Sequence, residues 1–219
     1  MTADAVDGAR YVVLGDVVGS REIDDREAFR ETFADARRRI ADEYADDVAA
    51  GPSVLKGIDE MAAVLTSLET FYDVVLVLHD ALYPHGIRLA VASGEIEVGG
   101  NGDVAHMDGE AFHRATELLE SIEADDLRVG LDTGADPLDT AVADEINLLV
   151  HLRESWTDRQ RDVVGRYERA GTQRAVAEEL AVSQQAVSNV LQGASWPLVE
   201  TVEARLRRTL AAYDEVDDG

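Results

Sequence analysis

Acidic side chains that could share a divalent cation stand at two points where predicted strands end or turn. Asp16 closes the apolar run that begins at Arg10, and Asp59 and Glu60 lie in a turn between two short predicted strands. If that hairpin packs beside the first strand, the carboxylates become neighbours, an arrangement suited to Mg²⁺ and a triphosphate. We therefore predict a Mg²⁺ or Mn²⁺ site at Asp16, Asp59 and Glu60. The alternative is that Asp16 and Asp59 only form turns, a common role of aspartate.

A second pattern, between Thr172 and Gln192, predicts two short helices around a tight turn. Apolar residues recur at helical spacing on both sides of the turn, and Ser183 is a suitable N-cap for the second helix. The outward positions of that helix are uncharged, and they are Gln184, Gln185, Ser188, Asn189 and Gln192. Such donor and acceptor groups suit the reading of base edges in the major groove. The stretch therefore predicts a DNA-binding helix-turn-helix, with an ordinary polar helical hairpin as the alternative.

Residues around this pattern complete a candidate DNA-binding surface. Arg159 and Arg174 are the candidates for phosphate contacts, and Gln185 and Asn189 are the candidates for base contacts. The full predicted DNA-binding set is Arg159, Thr172, Gln173, Arg174, Ser183, Gln184, Gln185, Ser188, Asn189 and Gln192.

The chain is strongly acidic, with a formal net charge of -25 and one lysine against 19 arginines. The acidic residues are dispersed rather than gathered in blocks, which is typical of adaptation to high salt and predicts a halophilic source. Residues 1–150 carry 11 basic and 33 acidic side chains, whereas residues 151–219 carry 9 and 12. The near-neutral C-terminal part favours DNA binding, because a DNA-binding face must not repel phosphate.

Composition excludes several other classes of protein. The chain has no cysteine, so disulfides and thiolate metal sites are excluded. No apolar run approaches the roughly 20 residues of a membrane span, and the N-terminus lacks the features of a signal peptide. We expect a cytoplasmic protein.

The order of elements predicts an α+β sandwich followed by helices. Strand, helix, hairpin, helix, strand, helix and strand alternate up to Pro137, which indicates a mostly antiparallel sheet with helices on one face. We predict an α+β domain over 1–136, a connecting helix over 137–156 and a helix-turn-helix domain over 157–219.

The helices that flank the helix-turn-helix carry apolar stripes, and a homodimer is expected because one such motif contacts only a single half-site. The stripes are Ile146, Leu149 and Val150 in the first helix and Val202, Leu206 and Leu210 in the last. The alternatives are that the sheet domain makes the dimer contact, or that both stripes pack inside one chain.

Short motifs along the chain resemble known families. LGDVVGS and KGIDEMAAV look like the two metal-binding segments of class III nucleotidyl cyclases, and GEAFHRATELLESIE looks like the helix of these enzymes that carries catalytic residues. Together with a C-terminal helix-turn-helix, these motifs resemble the SatD family. The resemblance implies a ferredoxin-like, nucleotide-cyclase-like antiparallel sheet domain followed by an all-α helix-turn-helix domain. It makes Asp16, Asp59 and Glu60 candidate metal ligands, and the remaining candidate ligand-binding residues are Gly19, Ser20, Lys56 and His113.

The resemblance also bears on whether the protein is an enzyme. Where cyclases place an asparagine and an arginine, the corresponding helix here offers His113 and Glu117. A glutamate has the wrong charge to stabilise a transferring phosphoryl group. We therefore predict a transcriptional regulator whose first domain dimerises or senses a nucleotide or metal. The alternatives are a metal-dependent phosphoryl-transfer enzyme with a regulatory helix-turn-helix, and a protein-interaction scaffold.

Overall fold

The computed structural model describes residues 10–57, 59–99 and 102–213 of the 219-residue chain. They form two compact units, one from the described parts of Met1–Asn147 and Arg207–Gly219 and the other from Leu148–Leu206. The boundaries between the units fall within two helices. The domain division at residues 136 and 156 remains a prediction, since compactness alone does not show that a unit folds independently.

The described residues contain seven strands and eight helices, so the chain is a mixed α+β protein. The strands are β1 (Tyr11–Val17), β2 (Val48–Lys56), β3 (Glu60–Leu65), β4 (Ile87–Ser93), β5 (Glu97–Val98), β6 (Met107–Asp108) and β7 (Val129–Asp132). The helices are α1 (Arg26–Glu43), α2 (Phe71–Leu82), α3 (Glu110–Ala124), α4 (Leu138–Glu154), α5 (Asp158–Ala170), α6 (Gln173–Glu179), α7 (Gln184–Gly193) and α8 (Trp196–Ala211).

Five of these strands form one sheet in the order β2-β3-β1-β4-β7. The strand β1 is central and runs antiparallel to both β3 and β4, as β2 does to β3. The pairing of β4 with β7 is parallel, so the sheet is mostly antiparallel, as predicted, rather than purely so. The short strands β5 and β6 pair with each other in a separate ribbon.

Both faces of the sheet are covered, and the prediction of helices on one face is wrong. Val12 and Leu14 of β1 belong to a buried cluster with Ala111 and Ala115 of α3. Side chains alternate across a strand, so Tyr11 and Val13 point to the opposite face, yet they are only 2% and 1% exposed. The helices α1 and α2 pack against each other and contact β2 and β4 respectively. The continuous apolar run of β1 is the sequence signal of a strand buried on both faces.

A glycine in β1 lets neighbouring strands pack closely beside the candidate site. A Cβ added at Gly15 would lie 2.8 Å from a side-chain carbon of Met61 and 2.9 Å from one of Leu89. Those distances are shorter than carbon atoms tolerate, so a larger residue would displace the side chains of Met61 and Leu89. Gly15 therefore lets both side chains pack against β1 next to Asp16.

The second unit is built from short capped helices. Thr157 and Gln160 form a reciprocal capping box at the start of α5. Thr172 and Ser183 cap α6 and α7 by accepting the backbone N–H groups of Ala175 and Ala186. The apolar residues between the caps turn inward, and the buried members are Val163, Val164, Val176, Ala177, Val187 and Leu191. Two short helices separated by residues 180–183 therefore occupy the stretch where the sequence predicts them.

The apolar stripes predicted to support a dimer are largely inside the chain. Ile146, Leu149, Val150, Leu206 and Leu210 are each at most 3% exposed. These stripes contribute to the core of the chain itself and are not available to a partner. A different set of leucines is exposed, namely Leu148, Leu152 and Leu198. Among the described residues, no helix combines the length and the apolar character needed to cross a bilayer.

Candidate functional site

The candidate site is at the end of β1, where three strands place polar side chains on one face of the sheet. Asp16 lies opposite Glu60 of β3 and opposite Arg88 of β4 in the register of the sheet. Directly opposed residues of antiparallel strands share a face, so the three side chains are neighbours. The register of the sheet brings Asp16 and Glu60 together, as the sequence suggested, and it places Arg88 beside them.

Asp59 reaches the same site through the turn that precedes β3. Its carbonyl oxygen accepts the backbone N–H of Val17 at 3.0 Å. Its carboxylate accepts a hydrogen bond from the Ser20 hydroxyl at 2.6 Å. Gly19, which adopts a left-handed conformation with φ of 68°, precedes the 3-10 turn Ser20–Glu22. The predicted residues Asp59, Ser20 and Gly19 therefore lie together with Asp16 at one end of β1.

Two predicted ligand-binding residues do not join this group. The His113 side chain is 74% exposed and its nearest acidic partner is Asp108, at 4.0 Å. The backbone of Lys56 pairs with Glu60 in the sheet, but the side chain of Lys56 lies outside the described part of the chain. Arg114, which follows His113 in α3, is engaged elsewhere. It donates to both carboxylate oxygens of Asp132 and to the Ser93 carbonyl.

Arg88 is the component that sequence reasoning missed. It is 9% exposed, and its Nη1 lies 3.8 Å from an Asp16 oxygen and 3.6 Å from a Glu123 oxygen of α3. Both distances exceed those of a hydrogen bond, and its buried Nε has no hydrogen-bond partner. The available signal was an arginine inside the otherwise apolar strand that follows Gly86. A charged residue in such a strand is rarely buried without a partner or a role.

The electrostatic balance of the site is negative. Burial raises the pKa of the Asp16 carboxyl above its usual value of 3.8, and the carboxylate of Asp59 raises it further. Arg88 acts in the opposite direction, whereas Glu123 and Glu60 add to the increase in pKa. The single guanidinium of Arg88 thus only partly offsets burial and the surrounding carboxylates, and the net effect disfavours the ionised form of Asp16.

A cavity of about 350 Å³ opens between this part of the sheet and α3. Its lining comprises Leu14, Gly15, Asp16, Leu55, Glu60, Met61, Arg88, Thr116, Leu119, Glu120 and Glu123. This volume lies within the range of small-molecule sites in proteins, about 300–1,000 Å³. The sheet strands and α3 each contribute apolar and acidic residues to this lining, and Arg88 is its one basic residue.

The residues at this site fit a hard divalent cation. Mg²⁺ is commonly held by one or two carboxylates and completed by water or ligand phosphates, so Asp16 and Asp59 form a sufficient protein contribution. Such an ion would also add positive charge to that of Arg88, which alone does not offset the carboxylates. Over 10–57, 59–99 and 102–213, no three His, Asp or Glu side chains converge as a complete metal site. The metal therefore remains a prediction, with the ligand expected to complete its coordination.

The raised pKa of Asp16 predicts that Asp16→Asn stabilises the protein when no divalent cation is present. In a raised-pKa carboxyl, the folded state binds the proton more tightly than the unfolded state, so stability falls as the pH rises above 3.8 through the folded-state pKa. Because asparagine does not ionise, the Asp16→Asn variant does not lose stability in this way as the pH rises. Its thermal midpoint in chelator at pH 7 should exceed that of wild type, and the gain should shrink as the pH falls toward 3.8. Asp144→Asn, an exposed change on α4, should show no such trend, and an equal or lower midpoint for Asp16→Asn would contradict the assignment.

The predicted DNA-contacting residues occupy one region of the second unit. Gln184, Gln185, Asn189 and Gln192 of α7 are exposed, and Ser188 is half-buried. The Gln185 side-chain amide donates to the Asn189 side-chain oxygen at 2.9 Å. Of the remaining residues in the predicted set, Arg159, Thr172, Arg174 and Ser183 are exposed, and Gln173 is half-buried.

Three of these residues have partners that bear on their predicted roles. The hydroxyls of Thr172 and Ser183 accept helix-capping hydrogen bonds. Arg174 lies 3.3 Å from Glu178, in a pair whose side chains are 81% and 70% exposed. An exposed pair of this kind is weak, so phosphate could compete for Arg174.

The structure thus defines a two-unit α+β protein with a carboxylate-rich cavity at one end of its sheet. Residues 11–205 match the SatD family, and the chain belongs to that family. The resemblance found in the short motifs is therefore confirmed at the level of the family. No curated protein matches the chain.

Two solved structures of bacterial proteins are weakly similar. One is described as a bacterial light-regulated adenylyl cyclase, with 16% identity, a TM-score of 0.40 and coverage of 56% of this chain and 74% of that one. The other, also described as a bacterial light-regulated adenylyl cyclase, has 17% identity, a TM-score of 0.37 and coverage of 56% and 42%. Similarity at this level carries no argument about activity.

Proposed function

We propose that the protein is a DNA-binding transcriptional regulator in which α6 and α7 form a helix-turn-helix. The observation that carries the proposal is the face of α7, where four exposed side chains are amides without charge, Gln184, Gln185, Asn189 and Gln192. An ordinary solvated helix in so acidic a chain would more usually carry glutamate or aspartate there. Amide groups are suited to adenine and to other base edges in the major groove.

The N-cap of α7 supports the same function. In a helix-turn-helix, the N-terminal residues of the second helix contact the bases. Ser183 caps α7, and its side-chain oxygen accepts the N–H of Ala186 at 3.1 Å, so the first turn is held in place. Gln184 and Gln185 lie in that first turn and are exposed. This is the end of the helix that would enter the groove.

Charge also favours the second unit as the part that meets DNA. Residues 148–206 carry seven basic and eight acidic side chains, although the whole chain has a net charge of -25. Phosphate contacts and counterion release dominate non-specific binding, so a nearly neutral surface is needed on such an anionic protein. Arg159 and Arg174 are exposed there and are assigned to phosphate.

The sheet unit is assigned a sensory role, as a cyclase-like domain that binds a Mg²⁺ or Mn²⁺ nucleotide complex. Support comes from the two carboxylates, Asp16 and Asp59, and from the Ser20 hydroxyl that orients Asp59 at 2.6 Å. Burial is the main cause of the raised pKa of Asp16, and a bound cation would offset the repulsion by Asp59 that adds to it.

A Mn²⁺–nucleoside triphosphate should raise the thermal midpoint of the wild-type protein. At a ligand concentration a hundredfold above Kd, mass action contributes about 2.7 kcal/mol. Double replacement of Asp16 and Asp59 by Asn should abolish this shift, because the cation loses both charged ligands. Asp144→Asn is the matched control and should keep the shift. A shift that survives in the double variant would show that the nucleotide binds elsewhere.

Exposed leucines of the second unit are assigned to a homodimer contact. Leu148 and Leu152 are 66% and 38% exposed and share a face of α4, being four residues apart. A two-fold protein is expected because two half-sites one turn apart require one. Light scattering in high salt should give a dimer for wild type and a monomer for the Leu148→Ser, Leu152→Ser double variant. A monomeric wild type at micromolar concentration would remove the dimer from the proposal.

A second candidate, a metal-dependent phosphoryl-transfer enzyme, is favoured by the same carboxylate pair. Against it, α3 offers His113 and Glu117 where the cyclase resemblance expects transition-state donors, and the His113 side chain is 74% exposed. A mobility-shift assay with genomic fragments in molar KCl, run beside nucleotide turnover with Mg²⁺ or Mn²⁺, separates the two. We expect retarded fragments without turnover. Turnover without retardation would favour the enzyme.

A further inference from the structure

The cavity beside Asp16 offers a ligand only two strong kinds of polar group. Arg88 is a donor only, and the four carboxylates, Asp16, Glu60, Glu120 and Glu123, are acceptors when ionised. The hydroxyl of Thr116 already donates to the Phe112 carbonyl at 2.8 Å. A ligand must therefore present acceptors to Arg88 and donors to the carboxylates.

The incomplete bonding of Arg88 points to a missing acceptor. Arg88 is only 9% exposed and lines the cavity, and its Nη1 is 3.6 Å or more from the nearest carboxylate oxygens of Asp16 and Glu123, which is beyond hydrogen-bond distance. Leaving buried donors unsatisfied is costly, and most such groups in folded proteins are satisfied. The planar fork of a guanidinium is best completed by two adjacent acceptors in one plane.

The charge of the cavity restricts the class of ligand further. Without a bound cation, four carboxylates against one guanidinium would repel an anionic group placed in the cavity. A simple organic cation would pair with the carboxylates, but it would repel Arg88 and leave its donors without an acceptor. A neutral group with paired acceptors on one edge and N–H donors on another satisfies both kinds of residue.

The apolar residues of the lining favour a flat heterocycle. Leu14, Leu55, Met61 and Leu119 line the cavity, and Leu55 is 39% exposed although it is a large apolar residue. Such side chains can cover the face of a ring while the polar groups meet its edges.

We propose that this cavity binds a guanine base. Guanine presents O6 and N7 as paired acceptors, the pattern that arginine recognises, and its N1–H and 2-amino groups are donors for carboxylates. Adenine places an amino donor beside N7, so it would direct a donor at Arg88. The inference rests on the proposed sensory role and specifies it, since the nucleotide whose phosphates meet the Asp16 and Asp59 cation would be a guanine nucleotide.

Guanosine itself provides the test, because it has no phosphate and needs no metal. Isothermal titration of the full chain in molar KCl with chelator should show binding of guanosine at least about tenfold tighter than adenosine, as a matched bidentate arginine contact implies. Arg88→Lys keeps the charge but loses the fork, and should reduce this preference to near unity.

Variants on α3 test whether its carboxylates contact guanosine or whether any charge change on this helix alters binding. Joint replacement of Glu120 and Glu123 by Gln should weaken guanosine binding about tenfold or more, because hydrogen bonds to charged acceptors are stronger than those to neutral ones. Glu117→Gln is an exposed change on the same helix outside the cavity lining and should have no effect. Circular dichroism confirms that each variant is folded.

The outcomes distinguish this inference from the proposed function. Equal affinity for guanosine and adenosine, or binding of the organic cation agmatine in place of guanosine, would overturn the guanine assignment. Failure of guanosine to bind, while a Mn²⁺–triphosphate still shifts the thermal midpoint, would overturn it and leave the sensory role intact. If guanosine does not bind and the Mn²⁺–triphosphate does not shift the thermal midpoint, both the guanine assignment and the sensory role are overturned.

Discussion

Replacing Arg153 by Met should lower the free energy of unfolding of the protein by about 3–5 kcal/mol, the usual cost of breaking a buried ion pair. Arg153 donates to a Glu203 oxygen from Nε at 2.9 Å, and the two side chains are each 3% exposed. Its Nη2 also donates to Glu168 at 2.9 Å. The guanidinium carbon lies 5.1 Å from the Trp156 ring and 5.6 Å from the Trp196 ring, so the substitution also removes two cation–π contacts.

Two further variants test whether the charge is the cause. Replacing both Arg153 and Glu203 by Met removes the pair without leaving a buried carboxylate, so most of the lost stability should return. Arg174→Met breaks an exposed pair with Glu178 and should cost at most about 1 kcal/mol. Urea unfolding in molar KCl measures all three, since buried pairs are screened far less than exposed ones. A double variant as unstable as Arg153→Met would show that packing, rather than charge, dominates.

The second large effect concerns sequence discrimination by α7. Gln185→Ala or Asn189→Ala should each lose roughly 1–3 kcal/mol of discrimination between a specific and an unrelated duplex. The hydrogen bond of 2.9 Å between the two side chains holds them in mutual orientation. Within this bond the Gln185 oxygen can still accept a hydrogen bond from a base edge, and the amide hydrogens of Asn189 can still donate to one. Either replacement therefore removes one base contact and loosens the other.

Arginine variants provide the contrast. Arg159→Ala and Arg174→Ala should weaken binding to all duplexes alike and reduce the salt slope by about one for each lost phosphate contact. Fluorescence anisotropy over a range of KCl concentrations measures affinity and slope together. Amide variants that weaken specific and unrelated duplexes equally would show that α7 does not read bases.

Local patterns predicted most of the elements, because their signals are carried by neighbouring residues. The apolar run before Asp16 gave a central strand, and the serine before Gln184 gave the start of α7, since Ser183 does cap that helix. The short turn before Glu60 predicted that β2 and β3 pair, whereas the pairing of β3 with β1, which places Asp59 beside β1, was a condition of the predicted site that the sheet meets.

Features that depend on contacts distant in sequence were not predicted. Arg88 meets Asp16 across strands and Glu123 on a helix 35 residues later, and no local pattern encodes that meeting. The stripe residues Leu149 and Leu206 have the helical spacing of an interface, yet spacing cannot tell a core inside the chain from a surface between chains. The exposed Leu148 lies beside Leu149 in sequence, and burial alone distinguishes them.

Selection of the full chain on random-sequence duplex DNA in molar KCl tests most directly whether the protein reads a DNA sequence. We expect enrichment of one sequence with two related half-sites about 10 base pairs apart, because a two-fold protein would present one α7 to each half-site. The Gln185→Ala, Asn189→Ala double variant should retain weak binding and lose the enrichment. If wild type enriches no sequence over the starting pool, the protein is not a sequence-specific DNA-binding regulator.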